Sequence, residues 1–391
     1  MFNEEIKLDA PLRWAMVGGG RGSQIGYSHR NAATRDGLFQ LVAGAFDINA
    51  ERGREFGVNL GLDPERCYAD YQTLFEQESQ REDGIQVVSV ATPNFTHYEI
   101  CKAALEAKLH VVCEKPITFS TEQALELKAI AQRNQCLLAV MYGYSGFPMV
   151  HQAKEMVARG ELGDIRIVNT QFAHGFNNEE YEKNDPGLKW RVQPETSGPT
   201  FVLADVGTHA FFLAEFITGL KLERLACMRQ SFIASRAPLE DNAHVMMQFD
   251  NGAVGTLWAS SVNAGSMHQQ KIRIVGAKAS LEWWDEYPNQ LRFEQQGKPV
   301  QILERGMDYL HKENEGVNTN RVGGGHSEGY FDSWANLYRR YAFAFDAANR
   351  DDQQALSNAW FPDIDAGING VRLCEKCVES ADAGAIWVDM Q

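Results

Sequence analysis

No stretch of the sequence approaches the ~20 consecutive apolar residues that a membrane-spanning helix requires, which excludes a helical membrane protein. Positive charge is in short supply: 37 Lys and Arg stand against 52 Asp and Glu, for a formal net charge of −15. Phosphate backbones and anionic lipid surfaces are bound by clustered cations, so neither a nucleic acid nor a membrane is an expected partner. The opening residues, MFNEEIKLDAPLR, lack the apolar core of an export leader. Cysteine is sparse and odd in number, seven in 391 residues, with Cys113 and Cys136 inside apolar runs. That is the usage of reduced, buried thiols, and the expected address is cytoplasmic. The close pair Cys374 and Cys377 has neither a second pair nor the histidines of a zinc site nearby. No metal is expected, and the two are read as small side chains on one face of a C-terminal helix.

What is present is periodic. From residue 12 to about 145, short apolar runs (LRWAMVG, LVAGAF, IQVVSVAT, HVVCEKP, CLLAVMYG) alternate with amphipathic stretches such as HYEICKAALEAK and TEQALELKAIAQRN. Alternation of this kind predicts an α/β domain, a doubly wound parallel sheet with helices on both faces. After Phe147-Pro148 the pattern changes. A helix over PMVHQAKEMVARG, a strand IRIVNTQF and a charged loop from about 177 to 200 precede DVGTHAFFLAEFITGL, a helix ended by Gly219. Strands follow from 221 to about 300. Asn251-Gly252, between VMMQFD and AVGTLWASSV, signals a two-residue hairpin, and KIRIVG, ASLEWW and QLRFEQ continue the meander. Residues 301–329 are Gly-rich and polar and are expected to be one long loop. Two helical segments and a short strand, AIWVDM, close the chain. The expected division is 1–147, a nucleotide-binding domain, and 148–391, an α+β domain on a mostly antiparallel sheet, with C-terminal segments free to pack back on the first.

The first run ends in Gly18-Gly19-Gly20-Arg21-Gly22-Ser23-Gln24-Ile25-Gly26. A glycine-rich turn between a first strand and a helix lets backbone approach a pyrophosphate, and the helix N-terminus offers unpaired N–H groups to it. Gly18 and Gly20 fit the first two positions of G-x-G-x-x-G, but Ser23 stands at the third, and Gly22 and Gly26 suggest a lengthened turn. Gly18, Gly20, Gly22, Ser23, Gln24 and Ile25 are the expected pyrophosphate contacts of a Rossmann domain. Asp47, closing LVAGAFD, suits the adenosine ribose hydroxyls and repels a 2′-phosphate, which favours NAD. Arg52 and Arg54 keep NADP open, and Asp47 alternatively caps the next helix. Ala91-Thr92-Pro93-Asn94 ends the strand expected as the fourth, where Thr92 and Asn94 line the cofactor or merely start a helix.

The strand expected as the fifth ends in Glu114-Lys115-Pro116. Together with A-T-P-N upstream, A-D-V-G-T-H at 204–209, Y-S-G-F-P-M-V at 144–150 and G-H-S-E-G-Y at 325–330, this motif resembles the Gfo/Idh/MocA oxidoreductase family. The resemblance spans nearly the whole chain. It implies a Rossmann domain and a C-terminal domain with a large open sheet that commonly packs against another subunit, hence a homodimer or homotetramer. It also implies reversible NAD(P)-dependent oxidation of a sugar or cyclitol hydroxyl, with Glu114 and Lys115 near the cofactor.

Oxidising a secondary alcohol needs a hydride acceptor, a base for the hydroxyl proton and a group that favours alkoxide character. Asp205 and His209, four apart, share a helical face. His209 is the candidate base, Asp205 its orienting partner or a ligand of the substrate hydroxyl, and Lys115 the cation at the substrate oxygen. Taken singly, each has a plainer reading: a core histidine, a helix N-cap, a solvated strand-end lysine. The reacting centre is therefore expected to draw on both domains. Trp190 and Arg191 in the loop before the catalytic helix, Tyr144 and His326 are candidate substrate contacts. The expected function is NAD-dependent oxidation of a sugar, inositol or related polyol. The alternatives are a nucleotide-linked sugar or dihydrodiol as substrate, or a dinucleotide-binding sensor.

Overall fold

The computed structural model describes residues 7–183, 186–311 and 320–391. They form two compact units: the residues up to Gly143 with Tyr330–Ile368, and Tyr144–Gly329 with Asn369–Gln391. Among the described residues no helix is long and apolar enough to cross a membrane.

The first unit alternates β1 (Leu12–Gly18), α1 (Gln24–Thr34), β2 (Phe39–Ala45), α2 (Ala50–Asn59), α3 (Tyr71–Glu78), β3 (Val87–Ala91), α4 (His97–Glu106), β4 (His110–Cys113), α5 (Thr121–Arg133) and β5 (Leu138–Val140). The strands make one parallel sheet in the order β2-β1-β3-β4-β5. Val87, Val88, Val90, Val111 and Val112 are wholly buried, as strands covered on both faces must be. Winding reverses between β1 and β3, which opens a crevice at their carboxyl ends, where Gly18 and Ala91 lie. The strands ending at Ala91 and Cys113 are thus third and fourth, not fourth and fifth. Between α2 and β3 the chain adds a 3₁₀ turn at Pro64–Arg66, a single bridge from Cys67 to Gly44, and α3. The helix Tyr330–Asn349 belongs to this unit. Its Trp334, Tyr338, Tyr341 and Phe345 join Trp14, Met16 and Phe39 in one core cluster.

The second unit contains α6 (Pro148–Ala158), β6 (Ile165–Ala173), α7 (Thr208–Thr218), β7 (Leu222–Gln230), β8 (Asn242–Phe249), β9 (Val254–Ser260), β10 (Gln270–Gly276), β11 (Ala279–Trp284), β12 (Gln290–Gln295), β13 (Gln301–Glu304) and β14 (Val388–Asp389). Its nine-stranded sheet runs β13-β12-β11-β10-β6-β9-β8-β7-β14 and is antiparallel except for β6 beside β9. Gly219 ends α7 at φ 71°, as its position predicts. The hairpin at Asn251-Gly252 exists, but its loop has three residues. Phe249 donates to the Ala253 carbonyl at 2.8 Å, and Gly252 sits at φ 83°, the arrangement in which a turn is completed by a left-handed glycine. The expected loop at 301–329 begins instead with β13, an exposed edge strand paired on one side only, which leaves no apolar alternation to read. Residues 312–319 of that expected loop lie outside the described residues; in 320–329, Glu328 pairs with buried Arg305 at 2.8 Å and the Val322 carbonyl accepts from it at 2.8 Å. The helix Ile364–Asp382 carries Cys374 and Cys377 on a buried face, and burial pushes the Cys374 thiol up to about 12.

Candidate active site

The glycine turn is built around contacts that no side chain could occupy. Gly18 and Gly19 take φ of 77° and 69°, a left-handed conformation natural to glycine. A Cβ on Gly20 would lie 2.5 Å from the Phe46 carbonyl oxygen. Ser23, where a third glycine was expected, caps α1: its side chain accepts from the Gly26 amide at 3.0 Å. The third close approach is made by Gly26, whose Cβ would meet the Gly19 oxygen at 2.2 Å. The loop is therefore spaced Gly18-x-Gly20 with Gly26 as its third member. Gln24 and Ile25 occupy the first two helical positions, where amides have no acceptor within the helix and are available to an anion. Gly22, at φ 82°, has open space around it.

Asp47 follows β2 by two residues. Asn49, not Asp47, caps α2, accepting from the Arg52 amide. The Asp47 carboxylate takes the Asn49 amide and the Arg52 guanidinium, both at 2.8 Å. Slight burial works against its charge, but these two donors win and hold it below the ordinary carboxylate range. Arg52 is thereby engaged by the acid it was expected to oppose, and Arg21 is held by Glu55. At the end of β3, the Thr96 hydroxyl donates to the Thr92 hydroxyl at 2.7 Å, and Asn94 opens a single 3₁₀ turn. Glycine-lined backbone, open helix N-terminal amides and an ionised acid past β2 fit a dinucleotide without a 2′-phosphate.

Glu114 and Lys115 leave β4 at the same edge. Glu114 is buried, its carboxylate 3.2 Å from His29 Nε2 of α1 and 3.3 Å from the Lys115 amide. His29 continues through Nδ1 to the Tyr338 hydroxyl at 2.6 Å, and Tyr338 to Ser89 at 2.8 Å. The helix that presents the phosphate loop is thus tied to the Glu114-Lys115-Pro116 segment. His97, fully buried, faces the Pro116 carbonyl with Nδ1 at 2.7 Å and the Thr92 carbonyl with Nε2 at 2.9 Å. Burial pulls its imidazole below the usual value, while the two carbonyls favour the proton.

In the second unit, residues Leu203–Gly207 form a π turn leading into α7. Such turns are rare and frequent at functional sites. It places Asp205 inside the helical run, not at its cap, with buried His209 one turn on. Arg191 Nη1 lies 3.3 Å from Asp205 Oδ1, and its guanidinium stacks on the Trp190 ring at 4.7 Å. Arg191 is therefore held on Asp205, with Trp190 packed against its guanidinium. Tyr181 is electrostatically coupled to Arg191 and Asp205, and burial pushes its phenol up to about 12. Behind the turn, Glu240 is completely buried and accepts the Phe201 amide at 3.1 Å and the Leu203 amide at 2.9 Å.

Tyr144 sets its ring edge-to-face on His209, with centroids 5.0 Å apart, and its hydroxyl pairs with His268 Nε2 at 3.1 Å. His268 Nδ1 is bonded to the Asp285 carboxylate. Neither His268 nor Asp285 belongs to a recognisable motif; only the β10–β11 register, with Lys271 opposite Trp284, carries the two residues to one place. The His326 side chain is exposed, and its backbone carbonyl is held by Arg305 at 2.5 Å.

Residues 12–142 match the oxidoreductase family's NAD-binding Rossmann fold, and residues 154–390 match its C-terminal alpha/beta domain. The chain superimposes with a TM-score of 0.97 on an inositol dehydrogenase homolog complexed with NAD+ from Azotobacter vinelandii, 58% identical, with all of both chains covered. A structure of an inositol dehydrogenase homolog complexed with NADH and myo-inositol, from the same organism, gives a TM-score of 0.93 at 58% identity over 98% of each chain. An uncharacterized oxidoreductase of Bacillus subtilis is 55% identical over the full length of both proteins.

Proposed function

Because the chain belongs to the Gfo/Idh/MocA family of NAD-dependent oxidoreductases, we propose that it oxidises a secondary hydroxyl of a ring polyol, of the inositol class. The observation that carries this reading is the pair of contacts in the second unit: Arg191 on Asp205, and Tyr144 on His209. A carboxylate, a guanidinium, an imidazole and a phenol are the groups that recognise several hydroxyls on one ring. The likeness to a 58% identical protein complexed with NADH and myo-inositol supports the same substrate class.

In this reading bound NAD supplies the hydride acceptor. The Gly18–Gly26 turn and the N-terminus of α1 hold its pyrophosphate, and Asp47 accepts from the adenosine ribose. Thr92, Asn94 and Glu114 line the remainder. His209 Nε2 or Nδ1 takes the proton of the reacting hydroxyl. Asp205, steadied by Arg191, orients that hydroxyl or the imidazole. The Lys115 ammonium stabilises the oxygen as negative charge builds on it, and polarises the ketone in the reverse direction. Trp190 and Tyr144 bound the ring. Asp47 makes NAD preferred over NADP.

The assembly is proposed to be a homo-oligomer through the open sheet. Ile167, Met228, Met246 and Val254 are exposed on one sheet face at 38%, 53%, 57% and 51%. Ile167 pairs with Val254, Met246 with Thr256 and Met228 with His244, so the four apolar side chains share one face with polar neighbours.

The test is reduction of NAD and NADP with a panel of inositols, aldoses and glycosides. Lys115→Ala and His209→Ala are expected to lose about 100-fold or more in kcat/KM while still binding NADH. Full activity in both variants would refute the mechanism.

A further inference from the structure

We propose that Asp285 and His268 form a positioning relay that sets Tyr144 as an acceptor for a substrate hydroxyl beside His209. The proposal rests on the polyol dehydrogenase reading. A carboxylate only accepts, so the His268 nitrogen bonded to Asp285, Nδ1, carries the proton. In the neutral ring Nε2 is then an acceptor, and the Tyr144 hydroxyl 3.1 Å away donates to it. With its one proton committed to His268, the phenolic oxygen can act towards a further group only as an acceptor. It therefore reads an O–H donor, as a polyol offers, and not a carbonyl.

The surroundings hold this arrangement from several sides. The Asp285 side chain is 6% exposed, and its second oxygen accepts the Gln270 amide at 3.0 Å. The Asp285 amide in turn donates to the Gln270 carbonyl at 3.0 Å, extending the β10–β11 ladder by one pair. Glu286 accepts the amides of His268 at 3.3 Å and Gln269 at 3.0 Å. Gln269 sits at φ 61°, a strained conformation for a residue with a side chain, retained where the surroundings overdetermine it. Phe172 packs on the His268 ring at 4.4 Å and on Tyr144 at 5.6 Å. A surface histidine needs none of this. The same phenol touches His209 edge-on, so the relay ends next to the proposed base.

The experiment uses the purified full-length protein with NAD and myo-inositol. His268→Asn and Asp285→Asn are expected to raise KM for myo-inositol about tenfold, the loss of one oriented hydrogen bond. KM for NAD should stay within twofold, and kcat should fall less than in His209→Ala. Rescue is built into the series: His268→Gln, which keeps an acceptor facing Tyr144, should recover part of the loss. An unchanged KM for myo-inositol in both variants, or an equal rise in KM for NAD, overturns the relay. In parallel, ¹⁵N-histidine spectra should show His268, identified by its absence in His268→Asn, as the Nδ1–H tautomer. Asp285→Asn should scramble it, and a tautomer indifferent to that change also overturns the proposal. Should the wild-type protein not oxidise myo-inositol at all, the substrate reading fails, while the tautomer result still decides the relay.

Discussion

Gly26 approaches Gly19 so closely that a Cβ on it would fall 2.2 Å from the Gly19 carbonyl oxygen and 2.3 Å from its Cα. Helix propensity alone would favour alanine at Gly26 by about 1 kcal/mol. The clash is with backbone, which cannot rotate away, so the steric cost wins. Gly26→Ala is expected to lower thermal stability by about 1–3 kcal/mol and to weaken NADH binding, because α1 must move off the turn that it presents. Calorimetric melting with and without NADH measures both. A variant as stable as wild type, with unchanged NADH affinity, would remove Gly26 from the phosphate loop.

That contact also marks the limit of what the sequence disclosed. The turn was legible as glycine-rich, and β1 to β5 were legible because strands buried on both faces, such as Val87-Val88 and Val111-Val112, are written as continuous apolar runs. Which glycine does the third job was not, since only the path of α1 shows that Ser23 caps while Gly26 packs. Edge strand β13 was invisible because pairing on one side imposes no alternation. Asp205 and His209 were visible as a spaced pair, but the π turn that carries Asp205 has no sequence signature. His97, His29, His268 and Asp285 act through partners distant in sequence, and no local pattern announces them.

Asp47 is expected to set the cofactor choice. The Asn49 amide and Arg52 keep it ionised well into the acid range, so its repulsion of a 2′-phosphate should not vary between pH 6 and pH 9. Asp47→Ser removes that charge and frees Arg52 to pair with the phosphate. The ratio of kcat/KM for NAD to that for NADP should fall on the order of tenfold or more. A ratio unchanged in the variant would assign NAD selectivity elsewhere.

Glu240 gives the fold a pH dependence of definite sign. Burial pushes its carboxyl up to about 7, against 4.5 for the ordinary group, although the amides of Leu203 and Phe201 and the Arg229 charge favour ionisation. A carboxyl raised in the folded state stabilises that state fully below its unfolded pKa. The contribution is then lost as pH rises towards about 7. Glu240→Gln keeps an acceptor for the Phe201 and Leu203 amides without the charge. Its melting temperature, relative to wild type, should rise between pH 5 and pH 8, and the segment leading to Asp205 should keep its place. A difference that is flat across that range would show that Glu240 does not titrate in the folded protein.

The exposed sheet face yields the last expectation. Met246 and Val254 at more than half exposure, with Ile167 and Met228 beside them, are an unusual apolar surface for a chain of net charge −15. Burying such a patch against a second copy removes it from water at roughly 25 cal/mol per Å², and a two-fold axis lets the same patch serve both partners. Light scattering of the wild-type protein should therefore give a dimer or tetramer. Met246→Glu with Val254→Glu places like charges across such an axis and should shift the population towards monomer. The circular dichroism spectrum should be preserved, since both side chains point away from the core. A monomeric wild type, or a double variant of unchanged mass, would show that this face is not where copies of the chain meet.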